Sequence, residues 1–221
     1  MNTLALTWFI FDMTGTIAFA VSGAVVGISR RMDIFGITVL AVLTAVGGGM
    51  VRDVLVGIFP PTVLKEGTGL IVAVITALLV AAVYARYHIS GRGKRRFLFF
   101  FNVSDTIRLA SFTVTGAVTG LYQMPQYHYV LPIMLGLITA VGGGMLRDLM
   151  GQRMPVVLRS DIYAVASLVG GLCLCLTWFF VSPDFAPVMG FTVTIVLRAM
   201  ALHYGWQLPR PSSPMIRHKN H

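Results

Sequence analysis

The decapeptide TAVGGGMVRD at residues 44–53 returns as TAVGGGMLRD at residues 139–148, with a single Val-to-Leu difference. A match of this length within one chain indicates an internal duplication. Other residues recur at nearly the same spacing: Asp12 with Asp105, Gly23 with Gly116, Gly27 with Gly120, and Pro60 with Pro155. The two halves of the chain are therefore predicted to be copies of one structural unit.

The composition indicates that lipid surrounds most of the surface. The chain has 221 residues, of which 56% are hydrophobic and 11% charged, and its mean hydropathy is +0.80. Soluble domains carry about a quarter charged residues. The net charge of +9 comes from basic residues between apolar runs, where they set membrane orientation. Membrane lipids are thus expected partners, and nucleic acid is not.

The apolar runs predict an all-α membrane protein with seven transmembrane helices. Crossing a bilayer takes roughly 20 apolar residues in a helix. Runs of this length lie at residues 5–28, 33–57, 69–87, 98–121, 128–150, 160–181 and 185–204. The predicted organisation is a first three-helix repeat at 1–92, a second at 93–182, a seventh helix at 183–205 and a polar basic tail at 206–221.

Each repeat holds an odd number of crossings, so the second copy should be inverted relative to the first. Basic residues collect in cytoplasmic links. They fill the first, third and fifth links and the tail: Arg30, Arg31, Arg86, Arg92, Lys94, Arg95, Arg96, Arg153, Arg159, Arg210, Arg217 and Lys219. A multi-pass protein of the cytoplasmic (inner) membrane is predicted, with its N-terminus outside and its C-terminus in the cytoplasm.

The triple glycines are the first candidate functional residues. Glycine weakens a helix by about 1 kcal/mol relative to Ala, so a bend or break is expected at each triplet. Irregular backbone inside a bilayer requires cover from protein or water, which predicts that both triplets face the interior. The alternative is that the glycines only permit close helix packing. The residues are Gly47, Gly48, Gly49, Gly142, Gly143 and Gly144.

Each triplet leads into an Arg-Asp pair, Arg52-Asp53 in the second helix and Arg147-Asp148 in the fifth. The opposite directions of the two helices place one pair in the outer half of the membrane and the other in the cytoplasmic half. Adjacent residues on a helix point about 100° apart, so each charge is expected to find its partner on another element. These charges either line a path between the helices or lock the helices together.

Three further charges lie deep in apolar runs. Arg108 follows Asp105 by one helical turn, which permits mutual neutralisation. Asp12 has no such neighbour, so its partner is expected elsewhere, at Arg52 or Arg147. Asp12 is the stronger functional candidate of the three because buried ionisable groups in membranes face a cavity or a partner.

The remaining features point away from enzymes. The chain has no HExxH, Gly-x-Ser-x-Gly or phosphate-loop motif, so neither catalysis nor a cofactor is expected. Cys173 and Cys175 face different sides of a helix, and no disulfide is predicted. Lys65 and Glu66 are expected at the mouth of the path or solvated in the link. Arg198 is expected to snorkel to the membrane surface.

The sequence resembles the bacterial branch of the trimeric intracellular cation (TRIC) channels, a family also labelled as glycine transporters. The resemblance covers nearly the whole chain. It rests on both GGG-Met-x-Arg-Asp segments with Pro60 and Pro155, on LRSDIY at residues 158–163, and on Arg198 with WQLP at residues 206–209.

This resemblance implies a homotrimer with a potassium-permeable pore in each protomer, lined by glycine-kinked second and fifth helices. It also implies two inverted repeats. Lys65-Glu66 resembles the basic-acidic start of the corresponding link in animal members, and Lys65 is on that ground a candidate pore or gating charge, although bacterial members vary at this link. Two other functions remain open. Inverted repeats and broken helices also occur in secondary transporters of small solutes such as glycine, and a structural membrane scaffold would need no path at all.

Overall fold

The computed structural model describes residues 3–87, 93–159 and 161–206, and every regular element within these ranges is an α-helix. The triple glycines lie in α2 and α6, which correspond to the second and fifth predicted spans. The helices are α1 Thr3–Ser29, α2 Ile34–Leu55, α3 Thr62–Glu66, α4 Thr68–Tyr87, α5 Gly93–Gln123, α6 Val130–Met150, α7 Val156–Arg159, α8 Asp161–Phe180 and α9 Ala186–Tyr204. The basic tail beyond residue 206 lies outside the described residues.

Six of the long helices in the described ranges are long and apolar enough to cross a membrane: α1, α2, α4, α6, α8 and α9. The protein is therefore a multi-pass membrane protein. The helix α5, predicted as the fourth span, is absent from this set although it has 31 residues. It carries Asp105, Arg108 and many threonines, which lower its hydropathy.

Burial explains the polar character of α5. From Asp105 to Leu121 nearly every residue of α5 is buried, and the helix packs against α1, α6, α8 and α9. A helix enclosed by other helices presents little side-chain surface to lipid, so it can carry polar groups that have protein partners. Hydropathy alone therefore underestimates a central helix of this kind.

Small residues set the close packing of neighbouring helices. A Cβ atom on Gly23 of α1 would lie 2.6 Å from the Ala41 Cα of α2. A Cβ on Gly116 of α5 would lie 2.8 Å from the Gly136 Cα of α6. Neither position has room for a side chain, so these glycines form helix-packing faces.

The link between α1 and α2 lies on the same side of the bundle as the link after α6. Arg30 of the first link donates a hydrogen bond to the Gln152 carbonyl oxygen at 3.2 Å. Asp33 ends the first link and caps α2, its Oδ1 accepting from the Gly36 amide at 2.7 Å. The two basic links were predicted to share a side of the membrane, and this contact agrees with that prediction.

The short helices α3 and α7 were not predicted. Each follows a proline of the link after a glycine-containing helix, Pro61 before α3 and Pro155 before α7. Proline is favourable at or just before a helix N-terminus, because it lacks the amide hydrogen that the first turn leaves unbonded. Gly67 ends α3 with φ of 68°, a conformation that glycine adopts readily.

Replacement of Gly23 by Ala should lower the midpoint of thermal unfolding in detergent, because the new methyl group meets the α2 backbone. Overpacking of this kind costs about 1–3 kcal/mol. Gly171→Ala is the matched control: it lies in the middle of α8, and its Cβ would be 3.5 Å from the nearest atom, the Ile133 Cα. Both variants gain the same intrinsic helix propensity. Equal midpoints for the two variants would contradict the packing argument.

Candidate functional site

The helices α2 and α6 touch through their backbones at the triple glycines. A Cβ on Gly48 would overlap the Thr139 carbonyl oxygen of α6, and a Cβ on Gly143 would overlap the Thr44 carbonyl oxygen of α2. A Cβ on Gly142 would lie 3.3 Å from the Gly48 Cα. Only glycine permits this approach, so packing is one definite role of the triplets.

The expected break at the glycines is wrong. Helix α2 is continuous from Ile34 to Leu55, and α6 is continuous from Val130 to Met150. The intrinsic cost of glycine is small beside the unsatisfied backbone groups that a break would leave in an apolar interior. A bend that leaves the helices unbroken stays a prediction.

Arg52 and Asp53 form an ion pair with each other at one end of this crossing. Arg52 Nε donates to Asp53 Oδ1 at 2.9 Å, and Arg52 Nη2 lies 2.8 Å from the same oxygen. The second carboxylate oxygen of Asp53 accepts a hydrogen bond from the Thr62 amide at 2.7 Å. The two charged side chains are 5% and 2% exposed, so the pair is shielded from solvent.

Arg147 and Asp148 repeat this arrangement at the other end. Arg147 Nε donates to Asp148 Oδ1 at 2.8 Å, and Asp148 Oδ2 accepts from the Val156 amide at 3.0 Å. Arg147 also donates to the Ser22 hydroxyl of α1. Its Nη1 lies 3.9 Å from the carboxylate of Asp105 on α5.

The expectation that these charges pair on other elements rather than with their neighbours is thus wrong for the closest partner of each arginine, which is the next aspartate. Contacts on other elements exist in addition: the Arg52 guanidinium lies 5.9 Å from the centroid of the Trp8 ring of α1, and Arg147 contacts Ser22. The helical angle of 100° applies to the Cβ directions, whereas the flexible arginine side chain reaches round to the next residue. Asp53 and Asp148 then use their free oxygen on the first amides of α3 and α7. Amides at a helix start lack an intrahelical partner, so each aspartate fixes the short helix that follows it.

Arg108 occupies the interior beside the second pair. Its Nε donates to Asp105 Oδ1 at 2.7 Å, and its Nη2 donates to the Tyr163 hydroxyl at 2.6 Å. The guanidinium lies over the Phe19 ring with 4.2 Å to the ring centroid, within the range of cation–π attraction. The predicted pairing of Asp105 with Arg108 is confirmed, and Tyr163 and Phe19 are partners that sequence reasoning missed.

Arg198 of α9 does not snorkel as expected. It is 5% exposed, and its guanidinium lies 4.8 Å from the centroid of the Tyr163 ring. Tyr163 therefore stands between two buried arginines, Arg108 and Arg198. Attraction to the Tyr163 ring stabilises the Arg198 guanidinium at a buried position. An exposed position was predicted for it.

Asp12 lies in a cavity of about 40 Å³ that Arg52, Asp53, Glu66 and Phe112 also line. Asp12 and Arg52 both line this cavity, but the ion pair of Arg52 is with Asp53, so a direct pairing of Asp12 with Arg52 stays a prediction. No described residue donates a hydrogen bond to the Asp12 carboxylate. The cavity therefore holds three carboxylates and one guanidinium.

A wide cleft of about 880 Å³ adjoins this cavity and shares Trp8, Arg52, Asp53 and Thr62 with it. Tyr122 is among the residues that continue the cleft toward the ends of α5 and α9. Lys65, on the short helix α3, is exposed and lines neither space. The neighbouring Glu66 lines the small cavity, so of this pair only the acidic residue faces the candidate site.

The described residues on the opposite side of the crossing leave little space. A space of only about 10 Å³ lies among Arg108, Gly144, Arg147, Asp148 and Tyr163. Arg108 fills this region, since a Cβ on Gly144 would be 2.8 Å from Arg108 Nη1. Asp12, Arg52 and Asp53 thus line the space that adjoins the cleft, and Arg108, Arg147 and Asp148 line the narrow one.

The comparison with known families matches both halves of the chain. A family model described as Glycine transporter matches residues 9–85 and 102–179. Over more of the chain, it is similar to the UPF0126 membrane protein YvgT of Bacillus subtilis, with 33% identity covering 94% of this chain and 98% of the relative. The UPF0126 inner membrane protein YadS of Escherichia coli is 34% identical, covering 90% of this chain and 93% of the relative.

Solved structures show the same fold. The TRIC trimeric intracellular cation channel orthologue from Rhodobacter sphaeroides has a TM-score of 0.80 and 32% identity, covering 90% of this chain and 98% of its own. A prokaryotic TRIC channel in 0.5 M KCl has a TM-score of 0.83 and 28% identity, covering 92% of this chain and 100% of its own. The chain belongs to the TRIC/UPF0126 family of membrane proteins.

Proposed function

We propose that this protein is a potassium-permeable channel for monovalent cations, with a pore inside each protomer between α2 and α6. Its structural neighbours are described as TRIC cation channels. The observation that carries the proposal is the glycine crossing, which has a carboxylate-rich cavity on one side and a buried ion cluster on the other. By analogy with the trimeric neighbour, the assembly is a homotrimer.

The proposed fold has two inverted repeats, residues 1–92 and 93–182. Such repeats explain why a contact made by one half of the molecule has an equivalent contact in the other half. Gly48 meets the Thr139 carbonyl as Gly143 meets that of Thr44. The Phe19 and Phe112 rings, which occupy equivalent places in the repeats, stack with centroids 4.9 Å apart. Under this proposal α5 also crosses the membrane, which brings the number of crossings to seven. Helix α9 lies outside the repeats, at residues 183–205.

The proposed orientation follows the basic residues, with the N-terminus outside and the C-terminus in the cytoplasm. The cavity with Asp12 and the wide cleft then face outward, and the Arg108 cluster faces the cytoplasm. The Escherichia coli relative is described as an inner membrane protein, which supports the same membrane for this chain.

Cation passage requires that the buried arginines do not repel the ion. Arg52 and Arg147 each lie 2.8 Å from the carboxylate of the following aspartate. An ion approaching Arg52 and Asp53 therefore meets a nearly neutral pair. Asp148 is shared between Arg147 and Arg153, whose Nε lies 2.9 Å from it, and Asp105 supplies a second carboxylate 3.9 Å from Arg147. Arg108 stands in the narrow part near Gly144, so the conformation described corresponds to a closed channel that opens when this side chain withdraws.

A secondary transporter of a small solute such as glycine is the alternative. The family description names glycine, and the cavity beside Asp12 contains both a guanidinium and carboxylates, as recognition of a zwitterion requires. Saturable, ion-coupled uptake of radiolabelled glycine into liposomes would favour this alternative. Potassium flux that is independent of glycine favours the channel.

Gly48→Ala should reduce potassium efflux from liposomes that contain purified protein. The methyl group overlaps the Thr139 carbonyl oxygen, so α2 and α6 must shift at the narrowest point. We expect about a tenfold loss of flux, equivalent to about 1.4 kcal/mol in the free energy of the conducting state. Gly171→Ala, remote from the crossing, is the control. Unchanged flux in Gly48→Ala would contradict the proposed path and favour a scaffold.

Arg108→Met should increase potassium efflux severalfold per folded protein, because it removes the guanidinium that fills the narrow part. The unfolding midpoint should fall at the same time, because Asp105 loses its closest partner in a buried site. Tyr163→Phe is the control, since it removes one hydrogen bond to Arg108 and leaves the guanidinium in place. Flux in Arg108→Met that is equal to or below the wild-type value would show that Arg108 is not the obstruction.

A further inference from the structure

The surroundings of the Arg108 guanidinium form a cation-binding site that the protein fills with its own side chain. The Asp105 carboxylate accepts its hydrogen bonds, and the Phe19 ring lies beneath it with 4.2 Å to the centroid. A planar guanidinium satisfies both contacts, since it can donate in its plane while it stacks on an aromatic face.

The place equivalent to that of the Arg108 guanidinium has the same two partners, a carboxylate and an aromatic ring, but no arginine. Asp12 corresponds to Asp105, and Gly15 corresponds to Arg108. The ring equivalent to Phe19 is Phe112, and a Cβ on Gly15 would lie 2.9 Å from its Cε1 atom. Gly15 therefore stands against Phe112 and sends no side chain over it.

The empty volume differs between the two equivalent places, as expected when glycine stands where the other place has arginine. Asp12 and Phe112 line the cavity of about 40 Å³, whereas the equivalent region that holds Arg108 retains about 10 Å³. Arg52 also lines the cavity beside Asp12, but its guanidinium pairs with the Asp53 carboxylate at 2.8 Å. Asp12 and Glu66 thus leave the cavity with an excess of negative charge.

We propose that the cavity between Asp12 and Phe112 binds a planar organic cation of the guanidinium class. The ligand lies on the Phe112 ring and pairs with the Asp12 carboxylate, in the place equivalent to that of the Arg108 guanidinium. The inference rests on the repeat relationship in the proposed function but not on conduction. The proposed ligand stacks on an aromatic ring and donates hydrogen bonds in its own plane. A potassium ion can do neither.

Isothermal titration calorimetry of the purified full-length protein with millimolar guanidinium chloride tests the proposal. Sodium chloride at the same concentration is the ionic-strength control. The wild type should bind saturably, and Asp12→Asn should bind at least about tenfold more weakly, since it loses an ion pair in a partly enclosed site. Asp184→Asn removes one exposed carboxylate from the adjoining cleft, so its affinity should equal that of the wild type.

Phe112→Leu provides a second variant that keeps every charge. It should also weaken guanidinium binding, because the aromatic face is lost, and it decides the matter if Asp12→Asn fails to fold. Absence of saturable binding in the wild type, or wild-type affinity in a folded Asp12→Asn or Phe112→Leu protein, would overturn the inference. Binding without potassium flux would refute only the channel, and flux without binding would refute only this site.

Discussion

The backbone contact between α2 and α6 at the triple glycines determines most of the surrounding arrangement. Because Gly48 and Gly143 each press against a carbonyl oxygen of the partner helix, the two helices cannot separate or rotate without losing this contact. Their Arg-Asp pairs therefore fall on opposite sides of the crossing at fixed positions. The carboxylates then hold the short helices α3 and α7 through Thr62 and Val156. One close approach thus organises both ends of the candidate path.

Burial of the charges around Arg108 is tolerated because the protein supplies partners for them. An isolated charge in a low-dielectric interior costs several kcal/mol or more, and the central helix α5 would be unfavourable facing lipid. Within the bundle, Asp105 and Arg108 pair with each other, and Phe19 and Tyr163 provide aromatic faces. In the proposed repeats, Gly15 occupies the place that corresponds to Arg108. That difference leaves a cavity in one repeat and a filled site in the other.

The sequence was sufficient for much of the fold, since apolar runs located the long helices of the described residues to within a few residues and the duplication identified the crossing glycines. It also located the charges inside the helix bundle, Asp12, Asp105 and Arg108, because charge within an apolar run is rare. Partner choice was harder to predict. The angle between adjacent residues on a helix did not predict that Arg52 pairs with the next residue, because it ignores how far the side chain can reach. No feature of the sequence singled out Ser22 as a contact of Arg147. The continuity of α2 through three glycines reflects tertiary packing and backbone hydrogen bonding, which override local propensity.

The central claim is that ions pass beside the glycine crossing, and single-channel recording with thiol modification tests it most directly. Gly49→Cys, in a protein with Cys173 and Cys175 replaced by Ala, places a thiol in the cavity beside Asp12, where a Cβ has no atom closer than 3.7 Å. The account predicts potassium-selective currents that fall when a positively charged methanethiosulfonate reagent reacts with this cysteine. Currents that persist unchanged after complete modification would contradict a path at this crossing.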